Sequence, residues 1–283
     1  MQIIDAFLFF NELELLDIRL NILDSKVDKF VLVESTVTHT GQPKKLFYAE
    51  NKHLFEKFNH KIVHYIDDTT PNSFEEAALR FTTEIDPLKK DIILHAVTTS
   101  NTGHQVQWLR EFYQHESIRI GLSKVPDIQD NDLIFNSDLD EIWNPERDYP
   151  LDDYEIFKLQ QYVYTGFLNI RSEEQWYGTY YSKYKNLKNA CLNHLDTVTK
   201  TDHIFLDNGG WHFTFQGGID RVKTKIENYG HQEYNTQEVK SLIDLRLQSG
   251  LDVLGRPFRC QIDTENLPKY LIDNRELYKQ FFK

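Results

Sequence analysis

The run Ile3 to Phe10 is apolar at every position except Asp5. A strand of that pattern has no face to offer water, and strands buried on both faces belong to parallel sheets covered by helices. The following segments keep that rhythm. Asn11 with Glu14 resembles a capping box, and Leu13, Leu16, Leu20 and Leu23 recur at helical spacing behind it. Lys29 to Glu34 reads as a second strand whose C-terminal edge carries the polar run Glu34-Ser35-Thr36, and Lys61 to Tyr65 reads as a third. Phe74 to Glu84 is expected to be a helix stopped by Pro87. His104 to His115 is expected to be another, with Val106, Leu109, Phe112 and Tyr113 along one side. Alternating strand and helix predicts an α/β fold: a Rossmann-like, mostly parallel central sheet flanked by helices.

The last strand of that half, within Asp132 to Ile142, stops at three carboxylates: Asp138, Asp140 and Glu141. In extended backbone, side chains two apart point the same way, so Asp138 and Asp140 converge while Leu139 turns to the core. Paired carboxylates at the C-terminal end of such a strand suit a hard divalent cation, and ligands of open α/β sheets bind at that edge. A cation there stabilises a diphosphate leaving group, which points to nucleotide-sugar chemistry. The competing reading is plain local structure, because Asp also caps turns and the helices after them. The helix ending at His115 is expected to pack beside this strand.

The second half changes character. Glu155 to Val163 and Thr165 to Ile170 alternate aromatic and polar residues, which predicts a smaller antiparallel ribbon on the acceptor side. Asn208-Gly209-Gly210 and Gly217-Gly218 read as tight turns bracketing a short strand, Trp211 to Phe215. Arg221 to Tyr229, Thr236 to Gln248 and Asn274 to Phe282 read as helices. With no repeat or linker, a single domain over 1–283 is the simplest division. Its nucleotide-sugar-binding half covers about 1–145 and its acceptor half about 146–283.

Composition narrows the function. Lys+Arg 32 against Asp+Glu 44 gives a net charge of −12, which argues against a nucleic-acid partner and a polybasic membrane anchor. Aromatics reach 13%, and surface Tyr and Trp suit a carbohydrate cleft. Tyr162, Tyr164 and Trp211, with Trp176, are the candidate acceptor-binding residues. Cys191 and Cys260 are too few for a disulfide framework or zinc cluster. No stretch approaches the roughly 20 apolar residues of a membrane span, and Met1 to Asp5 lacks a basic leader region. A soluble, cytoplasmic protein is expected. Loops of the P-loop, nucleophile-elbow and zincin types are absent, as is a dinucleotide glycine fingerprint. Among polar residues, His212 beside glycine turns can complete a metal shell or hold a phosphate. Arg110 can reach the nucleotide. Of Arg221, Lys223 and Lys225, which fan around a helix, Lys225 is taken to face the diphosphate.

Several blocks then agree in order. Asp5 to Leu16, Glu34-Ser35-Thr36 with Gly41-Gln42-Pro43-Lys44, Ser137 to Ile142, Gly210-Trp211-His212 and Pro268 to Leu271 resemble family 17 glycosyltransferases. The resemblance implies a GT-A type fold, a UDP-sugar donor (UDP-GlcNAc in characterised members), a Mn²⁺ or Mg²⁺ ion and inversion at the anomeric carbon. It places Asp138 and Asp140 on metal and diphosphate, His212 as a third ligand, and Glu34 with Ser35 at the nucleotide. The partners implied are a nucleotide sugar and a glycan acceptor. The Golgi members of that family carry a signal-anchor helix and cysteines around the Trp-His block, where this chain has Phe213, Thr214 and Phe215. A bacterial or viral-type enzyme is expected from that difference. An inverting transfer needs a general base, for which Asp207 and Glu141 are the candidates, with Glu173 behind them. A nucleotidyltransferase, and a carbohydrate-binding module on an inactive transferase fold, remain the rivals.

Overall fold

The computed structural model describes residues 1–100, 105–153, 155–197 and 203–283. The chain runs β1 (Ile3–Phe9), α1 (Leu13–Leu23), β2 (Lys29–Ser35), α2 (Phe47–Asn51), a 3-10 segment Lys52–Phe58, and β3 (Ile62–Asp67). Next come α3 (Phe74–Thr83), α4 (Pro87–Thr99), α5 (Val106–Ser123), β4 (Leu133–Asp138) and β5 (Glu141–Trp143). Then follow β6 (Phe157–Thr165), β7 (Ile170–Trp176), β8 (Tyr180–Lys183), α6 (Tyr184–Leu187), α7 (Leu192–Thr197) and β9 (Ile204–Thr214). α8 (Ile219–Asn228), α9 (Gln237–Ser249), β10 (Cys260–Ile262), α10 (Lys269–Asp273) and a 3-10 segment Arg275–Phe281 end the chain.

One large sheet organises these elements, in the order β10-β7-β6-β8-β4-β1-β2-β3, with β9 paired to β6 and β5. Strands β4, β1, β2 and β3 are mutually parallel, as the unbroken apolar runs predict. β8 joins β4 to β6 antiparallel, and β6, β7 and β10 continue antiparallel, so the ribbon expected in the second half is part of the same sheet. β9 lies parallel to β6 and antiparallel to β5.

Side-chain alternation divides the core cleanly. Phe7, Phe30, Leu32, Leu133 and Phe135 face the α1 side with Leu15, Leu16 and Leu20. Ile4, Ala6, Val31, Val33 and Ile134 face the other side with Ile118 and Leu122 of α5. α5 therefore lies over β1 and β2 rather than chiefly beside β4. Gly121 permits that approach, since a Cβ there would sit 2.6 Å from Val31 Cγ1.

Several local expectations are corrected. Asn11 and Glu14 form no capping box; α1 has no side-chain cap, and Glu14 instead binds Arg221 at 2.5 and 2.7 Å. Pro87 does not merely stop a helix but opens α4, whose N-cap Asp86 accepts from Leu88 N and Lys89 N. α5 runs on to Ser123, well past the expected end at His115, while His104, its expected start, lies outside the described residues. Asn208-Gly209-Gly210 is no tight turn, because β9 continues through it. β6 ends at Thr165, and β7 starts only at Ile170. Among the described residues no helix is long and apolar enough to cross a membrane.

Candidate functional site

The parallel strands β1, β2 and β4 end at a single cavity of about 640 Å³. Its walls include Phe10 and Glu12 after β1, Ser35 and Val37 at β2, Asp138 to Glu141 at β4, His115 of α5, and Lys225 of α8. That is the edge where open α/β sheets place ligands.

The acidic residues reach this cavity differently from the extended-strand expectation. β4 ends at Asp138, residues 139–140 turn, and β5 begins at Glu141. Asp138 follows the alternation of Ile134 and Asn136 toward α5, where its carboxylate, 48% exposed, has His115 Nε2 at 3.6 Å. Asp140, beyond the turn, points toward β9 and α8. Its Oδ2 accepts from Lys225 Nζ at 2.6 Å and has His212 Nε2 at 3.6 Å. Burial opposes the Asp140 charge, but Lys225 and His212 prevail and hold its carboxyl far below the usual range. Lys225, also desolvated, is held above the usual ammonium range by Asp140 and Glu12.

Glu141 is a different kind of carboxyl. Burial, with Asp138, Asp196 and Asp140 nearby, pushes it well above the usual range. Trp176 Nε1 donates to its Oε1 at 2.5 Å, and the Asp138 amide donates to its Oε2 at 3.2 Å. It braces the turn. Trp176 in turn packs against His212, ring centroids 4.5 Å apart and planes tilted by 37°. Asp196, on α7 across the cavity, is pushed up to about 6, first by desolvation, with Lys158 and His115 opposing. Nothing local in the sequence marked it; only the fold brings it to the acids.

The remaining expected residues fall into two groups. Ser35 lines the cavity, its Oγ 3.3 Å from Thr70 Oγ1. Glu34 does not: fully buried, it accepts from Tyr48 N at 2.9 Å and Ala49 N at 3.4 Å and so anchors the start of α2, with His64 Nε2 at 3.1 Å. Arg110 donates to the His39 and Asn72 carbonyls, tying two loops together away from the cavity lining. Asp207 and Glu173 are exposed and outside the lining. Tyr164 is core, and its hydroxyl meets Asp263 at 3.3 Å. Trp211 is buried with Nε1 donating to Asn266 O at 2.5 Å, and Tyr162 donates to Asn208 Oδ1 at 2.6 Å. These three also lie outside the lining, whereas Trp176 is part of it.

Asp138, Asp140 and His212 are gathered but not closed into a compact shell. Among the described residues, the triad that brings one ligand atom each within 4.8 Å of the others is His95, Glu116 and Cys191. That triad is satisfied by protein. Glu116 Oε1 accepts from Asn193 N and Nδ2 at 2.9 Å each, and the Arg119 guanidinium lies 3.2 Å from His95 Nδ1. At the cavity the donor set is different: two carboxylates, one half-exposed, and an imidazole whose buried Nδ1 has no hydrogen-bond partner among the described residues. Oxygen donors with one imidazole fit Mn²⁺ or Mg²⁺.

The family model for glycosyltransferase family 17 matches residues 1–86, in keeping with the resemblance carried by the N-terminal blocks. The matched span holds β1, α1, β2 and β3 and ends before Asp138, Asp140 and His212. No curated protein matches the chain.

Proposed function

We propose that this chain is a metal-dependent, inverting glycosyltransferase with a GT-A type fold, moving GlcNAc from UDP-GlcNAc to a hydroxyl of a glycan acceptor. The match over residues 1–86 supports glycosyl transfer in general. The observation that carries metal-assisted departure of a diphosphate is the meeting of Asp138, Asp140, His212 and Lys225 in one cavity at the ends of parallel strands, while inversion, the GT-A fold and the UDP-GlcNAc donor follow from the family resemblance.

Asp138 and Asp140, with His212, are the residues that would hold a divalent ion. Such an ion, when bound, supplies positive charge to the departing diphosphate. Lys225 adds a fixed ammonium on the same side, and Lys44, lining the cavity beside Phe10, adds a second. Trp176, held by Glu141, offers a flat apolar wall suited to a sugar ring. The acceptor oxygen forms its bond to the anomeric carbon as the bond to the diphosphate oxygen breaks and UDP leaves with the electron pair. The acceptor proton must go to a nearby base. Asp207 and Glu173 stand away from the cavity, and both Glu141 oxygens are already taken by Trp176 Nε1 and the Asp138 amide. Asp196, a carboxyl titrating near 6 in the cavity wall, is the group we assign to that proton.

The test is donor turnover. Incubation with Mn²⁺ and a panel of UDP- and GDP-sugars should release free UDP from UDP-GlcNAc. Asp140→Ala should lower that rate by at least about 100-fold, on the scale of a lost electrostatic stabiliser, with an unchanged circular dichroism spectrum. Near-normal turnover in that variant would remove the metal role. Release of pyrophosphate instead would indicate nucleotidyl transfer, and glycan binding without donor binding would indicate a carbohydrate-binding module.

A further inference from the structure

A buried arginine from the first helix reaches the acidic turn through its backbone. Arg19 of α1 is wholly buried and lies over the Phe7 ring at 4.4 Å. Its Nε and Nη2 donate to the two Asp5 oxygens at 2.8 Å each, a bidentate pair inside the core. Nη2 also donates to Ser137 Oγ at 2.7 Å. The two hydrogens of Nη1 serve three carbonyls of the turn, one hydrogen being shared: Asp138 O at 2.7 Å, Leu139 O at 3.0 Å and Glu141 O at 2.9 Å. The fourth carbonyl, Asp140 O, accepts from Phe213 N of β9 at 2.8 Å. Trp143 Nε1, just beyond the turn, donates to Asp5 Oδ1 at 3.0 Å.

Every carbonyl from Asp138 to Glu141 is therefore drawn inward, which leaves the carboxylates of Asp138 and Asp140 to point outward into the cavity. The work needs an arginine, whose planar fork carries five N–H donors, against three on a lysine ammonium. It also needs Asp5. The bidentate partner neutralises the guanidinium, so the turn gains donors without a free cation competing for its acids.

We infer that Arg19, held by Asp5, is the positioning residue that sets the geometry of the Asp138–Glu141 turn and thereby the cation affinity of the site. The second part rests on the functional reading above; the first does not.

Two variants test it. Arg19→Lys keeps the charge but loses the fork. Asp5→Leu/Arg19→Met removes the pair together, so that neither partner is left buried alone. Backbone hydrogen exchange is compared with wild type over Asp138 to Trp143 and over β2 as control. Mn²⁺ alone is titrated by electron paramagnetic resonance. The expected result is loss of protection confined to Asp138–Trp143, and a Mn²⁺ affinity lower by about tenfold or more, the usual cost of losing a group that orients ligands. Unchanged protection in that segment overturns the proposal, and so does lost protection with unchanged Mn²⁺ affinity. If wild type itself takes up no Mn²⁺, the metal reading falls, and the exchange data still decide whether Arg19 sets the turn.

Discussion

At the level of single residues, the cavity separates its acids by charge state. Asp140 is ionised against Lys225, Glu141 is pushed up by burial and neighbouring carboxylates, and Asp196 is pushed up to about 6. Asp140 therefore responds to pH in the opposite sense to the other two. The folded pKa of Asp140 is depressed, so its contribution to stability is present above the unfolded value near pH 4 and lost as pH falls through the folded one. The folded pKa of Asp196 is raised, so its contribution is full below about pH 4 and is lost as pH rises through about 6. Asp196→Asn should accordingly flatten the decline in stability between those values, read from urea midpoints at several pH values. If Asp196 accepts the acceptor proton, the same variant should also abolish the acid limb of the wild-type pH–rate profile for transfer. A retained limb would assign the base elsewhere.

Whole elements show which signals a sequence carries openly. β1, β2 and β4 were legible because strands buried on both faces cannot contain many polar residues, and α3 and α5 because their apolar residues recur at helical spacing; β3, the half-exposed edge strand, carried a weaker signal. α4 was missed because Pro87 was read as a stop. Proline is equally at home in the first turn of a helix, and Asp86 just before it was the overlooked cap. Glu34 failed for a related reason. A carboxylate at a strand's C-terminal edge looks the same in sequence whether it faces a ligand or caps a neighbouring helix, and here it caps α2. Its replacement should act on stability. Glu34→Ala removes the acceptor for two amides and the partner of His64, and should cost about 3 kcal/mol in urea unfolding, the scale for breaking a buried charged contact. Of the site, Asp138, Asp140, His212, Lys225 and Ser35 were readable and do meet at the cavity. Asp196 was not, since a lone acid in a short helix has no pattern of its own.

Across the whole molecule the site belongs to both halves of the chain. β5 and β9 pair so that Glu141 stands opposite His212, and that register depends on Gly210. Gly210 has φ +142°, and a Cβ there would lie 2.1 Å from Ile142 O. Gly210→Ala should therefore lower stability by about 3 kcal/mol and reduce donor turnover together, measured by thermal melting and UDP release. Retained turnover in a folded variant would mean that the β5–β9 register does not matter to the site. Long-range pairing of this kind also has an order in time. Lys225 lies 85 residues after Asp140, so at about 5–20 residues per second a ribosome makes the carboxylate about 4–17 s before its ammonium partner. Arg19, by contrast, is already made when the turn emerges, 119 residues after it. The growing chain can thus bind the turn's backbone while Asp140 still awaits its ammonium partner.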